Sequence, residues 1–139
     1  MKFSSKIDIR FRDLDGLGHV NNVVYLSYVE QARIRYFDDI LGDRQDWDEW
    51  GVLLARTEIN YIRPLFLKQD AKCYLECVAI GNKSMEFNFK IFITENEEEL
   101  EIASGVNILV CFNHKTNQSI EVPGSWKTAI ENYEDGIAL

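Results

Sequence analysis

Apolar and polar positions alternate from the first residues of the chain. Phe3, Ser5, Ile7, Ile9 and Phe11 interleave with Lys2, Ser4, Lys6, Asp8 and Arg10, which predicts a strand with one face inward. Further on the period lengthens. Tyr25, Tyr28, Val29, Ala32, Tyr36, Ile40 and Leu41 recur every three or four residues, the spacing of one helix face. Leu26, Ile34 and Phe37 widen that face, so this helix should be covered on more than one side. A carboxamide at Asn21 or Asn22 would cap its start. Gly42 would close it, because glycine tolerates the left-handed conformation of a helix end.

Alternation then returns four times. Leu53, Ala55, Thr57, Ile59 and Tyr61 form one face of a strand running up to Arg63-Pro64, where proline predicts a bend or a sheet edge. Ala71, Cys73, Leu75, Cys77 and Ala79 line the next strand, and Gly81-Asn82-Lys83 is a turn. Met85, Phe87, Phe89, Ile91 and Ile93 define a third strand. Ile102, Ser104, Val106, Ile108, Val110 and Phe112 define a fourth. Asn113 to Gln118 is a turn, Pro123-Gly124 ends the sheet region, and Ser125 would cap a short last helix to about Tyr133, followed by a frayed tail. The acidic segment Asp43 to Gly51, with Trp47 and Trp50, is a loop with a short helical turn. Its tryptophans either pack on the sheet or cover a pocket mouth.

Strands joined by short turns pair antiparallel, and a sheet must bury its apolar face against another element. The one long helix is the candidate, so the sheet should curl around it. One helix leaves edges poorly covered, which predicts self-association.

Composition narrows the class. The 139 residues suit one domain with a real core, and 46% hydrophobic with 27% charged residues is ordinary for a globular protein. No apolar run approaches a membrane span, and the N-terminus lacks the apolar stretch of a signal peptide. The expectation is a cytoplasmic protein without a membrane partner. Lys and Arg number 15 against 23 Asp and Glu, a net charge of −8, which repels phosphate backbones and argues against a nucleic-acid partner. Five of the acids lie in Glu95-Asn96-Glu97-Glu98-Glu99-Leu100-Glu101, the pattern of a solvated turn. The cysteines match no zinc or redox spacing. Cys73 and Cys77, four apart on one strand, are about 13 Å from each other, too far for a disulfide. Three reduced thiols are expected, as in the cytosol.

Candidate chemistry concentrates in Arg12-Asp13-Leu14-Asp15-Gly16-Leu17-Gly18-His19-Val20-Asn21-Asn22-Val23-Val24-Tyr25. A carboxylate beside the amide-rich start of a helix suits hydrolysis. Free N–H groups polarise a carbonyl while the carboxylate attacks it or activates water. Asp15 is the candidate catalytic group, with a capping aspartate beside Gly16 as its structural alternative. Asp13 is read as structural. His19 either orients Asp15, bonds the substrate, or ties the loop together. Tyr25 packs, with its hydroxyl near the pocket. Glu58 is a candidate second carboxylate and Arg63 a candidate phosphate contact. Two histidines far apart in sequence give no support for a metal site, and there is neither a glycine-rich phosphate loop nor a Gly-x-Ser-x-Gly elbow.

The order of elements, with Asp15-Gly16-Leu17-Gly18-His19-Val20-Asn21-Asn22-Val23-Val24-Tyr25 opening the helix, resembles the hotdog-fold acyl-CoA thioesterases of the 4-hydroxybenzoyl-CoA thioesterase family. Ile59-Asn60-Tyr61-Ile62-Arg63-Pro64-Leu65 resembles the same family's second-strand segment. The resemblance spans residues 5 to 123 or so, with a short C-terminal helix and tail after them, in a single domain. It implies an α+β hotdog fold, a five-stranded antiparallel sheet wrapped around one long central helix. It also implies edge-to-edge homodimers that commonly pair into homotetramers, with active sites at the dimer interface. The catalytic carboxylate maps onto Asp15 and the carbonyl-polarising N–H onto the neighbourhood of Asn22. His19 matches the histidine of the plant acyl-carrier-protein thioesterases. Those enzymes carry asparagine where this chain has Leu17, and the Gly-His-Val-Asn-Asn form looks closer to bacterial long-chain acyl-CoA thioesterases. The implied substrate is acyl-CoA, with no metal or redox cofactor. A hotdog dehydratase or hydratase and a non-catalytic acyl-thioester-binding module are the alternatives.

Overall fold

The computed structural model describes residues 1–42 and 47–138. Strand β1 (Phe3–Ile7) leads through a single 3-10 turn (Phe11–Asp13) and the polar loop to helix α1 (Val24–Leu41). Four long strands follow, β2 (Gly51–Tyr61), β3 (Asp70–Ile80), β4 (Ser84–Glu95) and β5 (Glu98–Asn113), then the two-residue β6 (Gln118–Ser119) and helix α2 (Gly124–Tyr133). The sheet is antiparallel throughout, in the order β1-β3-β4-β5-β2, with β6 pairing off β5. The expected five strands are therefore six among the described residues, and beside the one long helix stands the short last helix expected to about Tyr133, α2. The extra strand is a short return of the chain after the Asn113–Gln118 turn. The sixteen-residue β5 is long enough to pair with β6 at one end while spanning β4 and β2.

The core forms where the inward strand faces meet α1. Cys73, Leu75, Met85, Phe87, Phe89, Ile91 and Leu109 close over Tyr25, Val29, Ala32, Tyr36 and Leu41, all essentially without exposure. Gly42 ends α1 with φ +55, as the pattern required. The acidic hairpin turn closes on two residues, Asn96 and Glu97, at φ +51 and +67. Both lie in the left-handed region, so the turn follows the right-handed twist of the strands. Gly105 is required by close packing: a Cβ there would run into the Glu58 carbonyl and the Phe89 ring.

The face expected of the last long strand is overturned. The pairing of β4 with β5 slips between Ile91 and Phe92, and Ile102 is the extra residue. Ala103, Asn107, Leu109 and Cys111 face the core in place of Ser104, Val106, Ile108, Val110 and Phe112. Four further expectations need correcting. First, the opening strand stops at Ile7 rather than running to Phe11, which is 81% exposed. Buried Asp13 pulls the chain into its turn by accepting from the Arg10 backbone N–H (2.9 Å), the Arg10 guanidinium (3.0 Å) and the Tyr28 hydroxyl (2.7 Å). Second, Leu53 and Thr57 do not share a face. The pairing of β2 with β5 slips between Leu54 and Arg56, so Ala55 is an extra residue and the side-chain phase reverses there. Leu54 pairs with buried Leu109 and Thr57 with buried Asn107.

Third, α1 begins at Val24 after Val23 as cap, without a side-chain cap bond. Asn21 acts two residues before that cap, its Oδ1 accepting from the Val23 N–H at 3.0 Å. Fourth, the tail does not fray. Buried Glu134 Oε2 accepts from the Tyr36 hydroxyl (2.8 Å) and the Cys77 N–H (2.7 Å). Ala138 then bonds on both sides of Ala79, donating to Val78 and accepting from Ile80. β1 covers β3 only from Ala71 to Leu75, which leaves the backbone groups of Val78 and Ile80 to the tail.

Trp47 packs edge-on against Phe37 and Trp126, and Trp50 against Trp126. The helical turn expected within Asp43 to Gly51 falls partly on residues outside those described. Cys73, Cys77 and Cys111 are free and buried.

Candidate active site

The polar loop is folded by its own backbone. The Asp15 N–H donates to the His19 carbonyl at 2.9 Å and the Gly18 N–H to the Asp15 carbonyl at 3.2 Å. Gly18 sits at φ +86, a conformation that glycine adopts without strain. The Leu17 N–H donates to Asp15 Oδ1 at 2.8 Å, and His19 Nδ1 lies 3.1 Å from Asp15 Oδ2. Each carboxylate oxygen is thus oriented by one neighbour and retains capacity for another donor. The loop is pinned from outside as well. The Val20 N–H donates to the Leu65 carbonyl at 2.8 Å, and His19 bridges to Phe66, so the segment after β2 sets the position of His19.

At the start of α1 the donors divide. The Val23 N–H goes to Asn21 Oδ1 and the Val24 N–H to the Asn21 carbonyl at 2.9 Å. A trans peptide points its N–H opposite to its C=O. Because the Asn21 carbonyl points into the first turn, the Asn22 N–H points off the helix end. It finds no acceptor among the described residues. The Asn22 carbonyl is held by the Tyr61 hydroxyl, which donates to it at 2.6 Å. Helix N-termini favour negative charge at this position.

A cavity of about 280 Å³ opens between this helix end and the β2 exit. His19, Asn22, Tyr25 and Arg63 all line it, with Tyr61 and Pro64. Four of the six site residues expected from the sequence are therefore together. Asp15 stands behind His19 and reaches the cavity rim through it, with its side chain 28% exposed. Glu58 is not part of the cavity. It lies on the exposed side of β2, paired with Arg56. Tyr25 packs against Tyr61 with ring centres 5.1 Å apart, and burial raises its hydroxyl pKa, opposed by the Leu65 backbone. Asp13 is structural. Burial raises its pKa, but the Tyr28 hydroxyl and the Arg10 groups outweigh that and hold the carboxyl below its usual value.

Sequence reasoning treated Tyr61 only as a strand residue and took from the loop after β2 only Arg63. An aromatic with a polar tip at the last position of a strand next to Arg-Pro was the available signal. Among the described residues no three His, Cys, Asp or Glu side chains converge as metal ligands.

The thioesterase-like superfamily model matches residues 9–130. The chain belongs to the thioesterase-like superfamily. The long-chain acyl-CoA thioesterase FadM of Escherichia coli K12 is 25% identical over 133 residues, covering 91% of this chain and 96% of FadM. A thioesterase from Thermus thermophilus, solved with coenzyme A and zinc, is 34% identical with a TM-score of 0.78, covering 92% of this chain and 96% of that one. A DHNA-CoA thioesterase from Staphylococcus aureus, at 18% identity, TM-score 0.82 and coverage of 94% and 89%, shares the fold. The match to the thioesterase-like superfamily spans the polar loop, α1 and the whole sheet after β1.

Proposed function

We propose that this protein hydrolyses acyl-CoA thioesters to the free acid and CoA. The observation that carries the reading is the open Asn22 N–H at the rim where His19 holds the Asp15 carboxylate at 3.1 Å. A thioester carbonyl placed against that N–H would gain stabilisation as its oxygen becomes an oxyanion. Asp15 either attacks the carbonyl carbon, expelling CoA thiolate and leaving a mixed anhydride for water to cleave, or removes a proton from the water that attacks. His19 orients the carboxylate. Tyr61 fixes the Asn22 peptide, and Arg63 offers a cation at the cavity mouth for the coenzyme's phosphates. The likeness to FadM and to a thioesterase solved with coenzyme A supports this substrate class.

The assembly belongs to the proposal. Among the described residues β2 is an edge strand pairing only with β5, with Leu53, Leu54 and Tyr61 more than 40% exposed. Such an edge invites a second copy, so a homodimer or homotetramer should form, and light scattering at micromolar concentration should find no monomer. Three free buried thiols suit a cytoplasmic protein, and no helix among the described residues is long and apolar enough to cross a membrane.

The test is a panel of short, long and aromatic CoA thioesters, together with enoyl and 3-hydroxyacyl thioesters, with free CoA read by chromatography. CoA release supports hydrolysis. Hydration or dehydration without CoA release supports the dehydratase alternative, and binding without any turnover supports a binding module. A trapped acyl–Asp15 anhydride, or oxygen-18 in Asp15 after one turnover in labelled water, marks attack by the carboxylate. Label in the free acid alone, with no anhydride, marks activation of water.

A further inference from the structure

A second cavity, about 300 Å³, lies further along the same seam between α1 and β2. Its walls are apolar: Ile34, Phe37, Trp47, Leu54 and Leu109. One side chain contradicts them. Arg33 lines this cavity and is only 9% exposed. Its Nη1 donates to Asn107 Oδ1 at 2.7 Å. Asn107, itself 1% exposed, is oriented by donating from Nδ2 to Thr57 Oγ1 at 2.8 Å. The amide satisfies one guanidinium donor but supplies no countercharge. Among the described residues no carboxylate lies within 4 Å of the Arg33 guanidinium.

A buried cation without an anion is costly, and a hydrophobic side chain of similar size would serve packing better. Burial lowers the Arg33 pKa, and Glu30 opposes that only in part. Glu30 also lines the cavity, but it is exposed, so water screens it while Arg33 remains desolvated. The guanidinium is therefore a fixed, underused fork at the wall of an apolar space, the geometry that recognises a carboxylate. At about 30 Å³ per water-sized group the cavity has room for roughly ten heavy atoms.

We infer that this cavity binds an aliphatic chain bearing a carboxylate, with the carboxylate on Arg33 and the chain against Ile34, Phe37 and Leu54. Two sources share that chemistry. One is a free fatty acid, the product of the proposed reaction. The other is the far end of an ω-carboxyacyl-CoA whose thioester sits at Asn22. Arg33 lies eleven positions beyond Asn22, about 16 Å of helix rise, so only a long chain would reach. The second source rests on the thioesterase reading, and the first does not.

The experiment is calorimetric titration of the full chain with octanoate and with octan-1-ol, which share the apolar body and differ in charge. Octanoate should bind at least tenfold more tightly, and Arg33→Gln should abolish the difference. Equal binding by the wild type, or a preference kept by Arg33→Gln, overturns the inference. Should Arg33→Gln fail to fold, Glu30→Gln decides. Removing the competing carboxylate at an exposed position should tighten octanoate at least twofold and leave octan-1-ol unchanged, and no change in octanoate binding counts against the site. A second arm compares kcat/KM for hexadecanedioyl-CoA and hexadecanoyl-CoA. A preference for the dioyl ester that depends on Arg33 assigns the site to the substrate's end; its absence, with octanoate still bound, assigns it to the free acid. If no CoA ester is turned over, the thioesterase reading fails, while the binding arm still decides the inference.

Discussion

Replacing Glu134 by alanine should destabilise the fold far more than its place near the end of the chain suggests. Both of its hydrogen bonds converge on Oε2, from the Tyr36 hydroxyl at 2.8 Å and the Cys77 N–H at 2.7 Å. Tyr36 is fully buried, and burial followed by the bond to Glu134 keeps its hydroxyl protonated, with a pKa well above the ordinary phenol value. Alanine would leave two buried donors without an acceptor. At about 1–3 kcal/mol for each, the loss is roughly 2–6 kcal/mol, or about 6–18 °C in Tm at roughly 3 °C per kcal/mol. Glutamine retains an oxygen for both donors and loses only the charge assistance, so it should cost roughly 1–2 kcal/mol. Tyr36→Phe removes one donor, and combining it with Glu134→Ala should cost less than the sum of the two, because they share a bond. The assay is urea unfolding of the four variants and the wild type at one protein concentration, with equal slopes required before comparing them. A Glu134→Ala loss below about 0.5 kcal/mol, the range of ordinary surface changes, would refute this role for Glu134.

Tyr61→Phe removes the hydroxyl that holds the Asn22 carbonyl, and should lower kcat about tenfold with KM little changed, since about 1.4 kcal/mol of transition-state stabilisation is a factor of ten; a matching loss in Tm would assign Tyr61 to stability instead. Asp13 has a folded pKa below its ordinary value, so its contribution is complete above the unfolded value near 3.8 and disappears as pH falls through the lower folded value. Acid titration of stability should therefore be flatter below about pH 4 in Asp13→Asn, which begins less stable. Burial pushes the three thiols up to about 12, so a thiol dye at pH 8 should react slowly with folded protein and count all three cysteines only after unfolding. Because those folded values exceed the ordinary thiol pKa, their share of stability is complete below roughly pH 8.5 and is lost as pH rises toward 12.

Local periodicity carried most of the architecture. The long helix, its Gly42 terminus and the β4 alternation all follow from nearest-neighbour geometry, so each was legible. The acidic segment was legible as a turn, but only Asn96 and Glu97 make it, and Glu98 onward belongs to β5. What escaped depends on partners remote in sequence. Alternation through Ile9 and Phe11 looks like strand, but Tyr28, fifteen residues away, helps Asp13 to end it. A single inserted residue at Ala55 leaves no mark in composition, yet it reverses the side-chain phase of half of β2. Glu134 resembles any acid in a polar tail until α2 places it beside Tyr36. Within the site, the loop and the helix start were legible as a string. The role of Tyr61 was not, because its partner is a backbone carbonyl that no side-chain pattern reports.

The most direct test of the central claim is turnover of the best CoA thioester by Asp15→Asn, beside the wild type and with Tm recorded for both. Asparagine retains an oxygen for the Leu17 N–H and loses the nucleophile or base. A fall of at least about 100-fold in kcat is expected, with Tm within about 2 °C of the wild type. Equal turnover by the mutant would remove Asp15 from the mechanism.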